Sequence, residues 1–142
     1  MKKRLFTEDN VAPTEVLLRN RLGTTIDYYM TVLSKSGRYQ KQWQFNRGNG
    51  WILKVGDMRN AFYYMSLFED GIEISLTVRD QERIELLKSG ELGSLYSELE
   101  TATKYSGGYV LRFGIESSKE CRSVAEFLES LMKMRSGTGV LS

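Results

Sequence analysis

The stretch Lys41–Arg79, KQWQFNRGNGWILKVGDMRNAFYYMSLFEDGIEISLTVR, decides the fold. Apolar side chains recur at every second position, the period of strands with distinct faces. In the strand Lys41–Asn46, Trp43 and Phe45 oppose Gln42 and Gln44. Trp51, Leu53 and Val55 share one face of Trp51–Val55. Ile72, Ile74, Leu76 and Val78 alternate with Glu73, Ser75, Thr77 and Arg79. Asn60–Phe68 is apolar on both faces, the pattern of a strand covered on both sides or central in its sheet. Asn49-Gly50, Gly56-Asp57 and Asp70-Gly71 are turn dipeptides that tolerate positive φ. Such short connections require neighbouring strands to run antiparallel. The four strands therefore form a meander.

On the N-terminal side the period lengthens to that of a helix. Residues 1–12 read as an irregular lead ending at Pro13. A helix over Thr14–Leu22 has Thr14 as N-cap and Gly23 as its stop. A second, Thr25–Leu33, carries Ile26, Tyr29, Met30 and Leu33 at the spacing of one buried stripe. On the C-terminal side Asp80 caps a helix through Lys88, with Ile84 and Leu87 inward and Gly90 ending it. A short helical piece follows at Gly93–Thr103, then a fifth strand, Tyr109–Ile115. The last helix, Ser118–Arg135, turns Cys121, Val124, Phe127, Leu128 and Leu131 inward, and residues 136–142 read as a flexible tail. The fold class is α+β: an antiparallel sheet of about five strands, the meander plus one, packed by N-terminal helices, a middle helical segment and a long C-terminal helix. No linker or repeat divides the chain, so one domain over 1–142 is expected.

Composition sets the chemistry. The 142 residues carry 20 Lys and Arg against 18 Asp and Glu. That balance gives a weak field and argues against nucleic-acid or anionic-membrane partners. No apolar run follows Lys2-Lys3-Arg4, and none spans a bilayer, so the expectation is a cytoplasmic protein. One cysteine, Cys121, fits a reducing compartment, and its place on an apolar stripe makes it a core residue rather than a nucleophile. The chain has no histidine. Serine–histidine and cysteine–histidine catalysis, and histidine-ligated metal sites, are excluded. No cofactor is implied.

Two local groups have bland readings. Arg47-Gly48-Asn49-Gly50 holds a G-x-G, but strands flank it and a phosphate loop needs a following helix, so it is a hairpin. Glu69, Asp70 and Glu73 could ligate a hard cation or be solvated charges beside a turn. The more informative surface is the polar face of the sheet. Glu73, Ser75, Thr77 and Arg79 point there, with Lys54 and Arg112 sharing the side and Tyr63 or Tyr64 among them. Apolar walls with a few charged groups suit a small-ligand pocket, and the ordinary alternative is a half-solvated sheet. The candidate ligand-binding residues are Trp51, Lys54, Tyr64, Glu73 and Arg112.

Several of these features together resemble a family of small bacterial proteins, "domain of unknown function 3788". They are Pro13-Thr14 and Leu22-Gly23 around the first helix, Trp43, Gly50-Trp51 and Lys54 in the first hairpin, Asp70-Gly71, Lys104-Tyr105, Gly107-Gly108 and the long last helix. The likeness covers about residues 13 to 135. That family is distantly similar to YdhG-like proteins, some of them frataxin-like iron chaperones. The resemblance implies an α+β domain with a binding role and carries over no catalytic residue. A frataxin-like site would use an acidic ridge, and the acids here are scattered.

The leading expectation is a non-catalytic module, monomer or homodimer, that binds a small molecule or a protein through the sheet face and flanking helices. Two alternatives stand beside it: an enzyme using Asp, Glu, Tyr or Arg without histidine, and iron-chaperone-like metal handling.

Overall fold

The computed structural model describes residues 3–141, with side chains through Ser136. The helices α1 (Glu15–Leu22) and α2 (Ile26–Ser34) lead into the meander β1 (Gln40–Asn46), β2 (Gly50–Gly56), β3 (Ala61–Phe68) and β4 (Gly71–Val78). Then come α3 (Asp80–Ser89), a 3₁₀ turn at Gly93–Leu95, α4 (Tyr96–Glu100), β5 (Thr103–Tyr105), β6 (Gly108–Ile115) and α5 (Ser118–Leu141). The six strands form one antiparallel sheet in the order β1-β2-β3-β4-β6-β5. The α+β fold and the antiparallel meander are as the sequence pattern requires.

Register settles which face is buried. Leu53, Met65, Ile74 and Phe113 lie opposite one another across β2, β3, β4 and β6. They join Leu18, Val32, Leu86, Leu99, Val124 and Leu128 of the helices in one core. The helices therefore cover one face. On the other, Gln42, Lys54, Tyr64, Ser75 and Arg112 form a row across five strands. Alternation in β4 places Ile72, Ile74, Leu76 and Val78 in the core and leaves Glu73, Ser75 and Thr77 at least partly accessible.

Several boundaries differ from expectation, each for a local reason. The predicted helix Gly93–Thr103 is a 3₁₀ turn and the five-residue α4; Thr103 then starts β5, a strand beyond the five expected, which pairs with β6 through a tight turn. Met30 and Ile84, read as inward, are 48% and 42% exposed, whereas Val32 is fully buried. On short helices the packed stripe is displaced from the one drawn by spacing alone. Helix α3 begins at Asp80, with Arg79 in the N-cap position. Helix α5 continues past Arg135 to Leu141, and Ser142 of the expected tail lies outside the described residues.

The lead is also more ordered than its composition suggests. Arg4 bridges Phe68, the Leu5 N–H donates to the Leu67 carbonyl at 3.0 Å, and the Trp51 N–H donates to the Phe6 carbonyl at 2.9 Å. The lead thus occupies the gap where β2 and β3 part. Phe6 adopts φ 55° and is buried.

Candidate functional site

Four of the five residues singled out from sequence come together on the uncovered face. Lys54, Tyr64 and Arg112 share one cross-strand row, and Glu73 lies in the next. An Arg112 guanidinium nitrogen is 3.7 Å from a Glu73 carboxylate oxygen, and Tyr64 is 39% exposed. This is an open, solvated surface. Trp51 belongs to the opposite side: its ring meets Phe45 edge-on at 5.5 Å, and its indole N–H donates to the Glu8 carbonyl at 2.8 Å. Its polar handle is committed to pinning the lead.

A shallow hollow of about 450 Å³ beside Lys54 is lined by Gln40, Lys41, Gln42 and Asp57 and has no aromatic wall, whereas a cavity joining aromatic rings to arginines lies elsewhere. A cleft of about 380 Å³ opens where the α2–β1 connection, the start of β3, the end of β4, α3 and α5 converge. A β-bulge builds its floor. Val55 pairs with Tyr63 and Gly56 with Ala61, so Phe62 is the extra residue on β3. A bulge breaks strict alternation and re-aims a side chain. Phe62 accordingly packs beside Tyr63, with ring centroids 5.5 Å apart. Tyr39 stacks on Phe62 at 4.7 Å and 27°. The Arg38 guanidinium sits over Tyr39 at 5.2 Å and that of Arg135 over Phe62 at 5.5 Å.

Arg135 is fixed by a fork. Its Nε and a terminal nitrogen donate to the Glu82 carboxylate at 2.8 and 3.1 Å, and a terminal nitrogen also donates to the Thr77 carbonyl at 3.0 Å. The Arg79 N–H donates to Glu82 Oε1 at 2.9 Å. Both Glu82 oxygens are engaged. Burial pushes the Glu82 carboxyl upward, but the Arg135 donors, the Arg79 N–H and the arginine charges hold it below the usual carboxylate range. Asp57, on the rim, accepts from the N–H groups of Arg59 and Asn60, which also lowers its pKa. The side chains of Arg38 and Arg79 line the same cleft with no ion-pair partner within 4.0 Å among the described residues.

Sequence reading missed this cleft because its residues come from separated segments. One signal was present: β3 is apolar at successive positions, which reflects the bulge at Phe62 and the covering of Phe68 by Arg4 at 4.8 Å, not two buried faces. The acidic trio at the third turn does not converge. Glu73 turns toward Arg112 and Asp70 hydrogen-bonds Glu116, whose carboxyl is raised by that contact. Among the described residues no group of three or more Asp, Glu or Cys side chains is placed to hold a metal ion, and no helix is long and apolar enough to cross a membrane. Comparisons with protein-family models, with curated proteins and with solved structures find no match.

Proposed function

We propose that this chain is a non-catalytic binding module whose ligand is a small planar molecule bearing a carboxylate or phosphate, seated in the cleft between β3, α3 and α5. The observation that carries the reading is the pair of arginines, Arg38 and Arg79, that form no ion pair within 4.0 Å among the described residues and lie beside a stacked aromatic floor of Tyr39 and Phe62. Guanidinium groups recognise carboxylate and phosphate through paired donors. A flat apolar body would meet the half-buried Tyr39 ring, not Phe62, which is buried beneath it. The cleft volume, about 380 Å³, falls in the range of small-ligand sites.

Binding is favoured over catalysis by the state of Glu82. It is the carboxylate in the cleft placed beside an arginine, as an enzyme without histidine would need, yet its pKa is lowered and its oxygens are engaged. A general base near neutral pH requires the opposite shift. The kinship proposed with the family of domain of unknown function 3788 agrees with a binding role, and cytoplasmic residence agrees with a single thiol. The uncovered sheet face, with Lys54, Tyr64, Glu73 and Arg112, is the competing surface for a protein partner.

Thermal-shift screening against aromatic carboxylates, nucleoside monophosphates and inorganic phosphate tests the reading. At least one planar anion should raise the melting temperature, and Arg38→Ala/Arg79→Ala should abolish the rise. If the anions have no effect, or if the double variant responds like the parent, the cleft is not the site.

A further inference from the structure

The two edges of the sheet are guarded very differently. On one side β6 is followed by β5, a three-residue strand carrying Lys104. On the other, β1 ends the sheet with seven residues, QKQWQFN, whose outer backbone edge has no strand partner among the described residues. It contains no proline, no bulge and a single charge, Lys41. Long edges without such devices are templates for strand addition.

The sequence of β1 also selects the partner. We infer that β1 pairs antiparallel with β1 of a second copy of this chain, centred on Trp43. Trp43 is the middle residue of Gln40–Asn46. A twofold axis there sets Trp43 opposite Trp43, Gln42 opposite Gln44, Lys41 opposite Phe45 and Gln40 opposite Asn46. No like charges face one another, which directly opposed pairs disfavour. On the open face, amide side chains meet amide side chains. On the helical face, a lysine meets an aromatic ring, a favourable cation–π pairing, and the two half-buried tryptophans lie against each other. Because the axis is perpendicular to the sheet, both helical layers fall on the same side, and the two sheets become one continuous sheet. This inference does not rest on the ligand reading.

Sedimentation velocity over a range of concentrations tests it. The parent chain should rise from its 16.3 kDa monomer mass toward twice that value. Gln42→Glu/Gln44→Glu alters two exposed positions and sets an acid opposite Lys54 within the chain, so the fold should survive, as far-ultraviolet circular dichroism would confirm. It sets like charges opposite each other twice across the twofold axis and should sediment as a monomer. Mixing it with Gln42→Lys/Gln44→Lys should restore a dimer containing one chain of each. A parent that stays monomeric at every concentration overturns the inference, as does a glutamate variant that dimerises like the parent.

Discussion

Glu82 and Arg135 meet where α3, β4 and α5 converge, with side chains only 11% and 17% exposed. Removing the arginine strands a carboxylate in a site that depends on its donors. Arg135→Ala should destabilise by about 1.5–3 kcal/mol, the range for hydrogen bonds to charged groups, as measured by urea denaturation. The direction of the pKa shift sets the pH dependence. A carboxyl lowered by folding stabilises above its unfolded pKa, and the contribution is lost as pH falls through the folded value. Stability should therefore decline on acidification below the ordinary carboxylate range, and Arg135→Ala should lose that component. At the alkaline end, Tyr63 dominates. Burial first, then the nearby Tyr29, raises its hydroxyl to about 12, although its hydrogen bond to Ser36 works in the other direction. Folding then holds a proton that the unfolded chain releases near pH 10, so stability should fall as pH rises from about 10 to 12, by about 2–3 kcal/mol. Tyr63→Phe should remove this alkaline loss. Ser36→Ala should cost about 1–3 kcal/mol by leaving the buried hydroxyl without its partner at 3.0 Å.

Among the elements, the meander was legible because hairpin turns and a two-residue rhythm are local signals. Asp70-Gly71 and the alternation of β4 locate their strands almost to the residue. The β2–β3 bulge was not legible as such, since an extra residue in one strand is defined only by its partner. Strand β5 was hidden for the same reason: Thr103–Tyr105 has no buried face, and pairing with β6 alone makes it a strand. The lead shows how a turn glycine can serve a distant segment. Gly50 sits at φ 74°, and a Cβ there would lie 2.6 Å from the Phe6 carbonyl oxygen. Gly50→Ala should displace the lead and destabilise by about 1–3 kcal/mol, the scale of a single strained backbone position. Hydrogen exchange should show Leu5 and Trp51 amides losing protection in this variant, while β4 and β6 retain theirs.

In the whole molecule, the one-sided arrangement follows from composition along each strand. Large apolar residues of one parity need a cover, and the helices supply it on that face only. The candidate site was only half legible. Strand parity correctly gathered Lys54, Tyr64, Glu73 and Arg112 on one face. The cleft depends instead on where Met134 and Arg135 of α5 cross the end of β4, a long-range geometry with no local trace. We propose ligand recognition in that cleft and not on the open face. An NMR titration of the ¹⁵N-labelled chain with a planar anion selected by thermal shift is the most direct measurement. Shifts should concentrate at Arg38, Tyr39, Ala61, Phe62 and Arg79, with saturation. Shifts centred on Lys54, Tyr64 and Arg112 would contradict it.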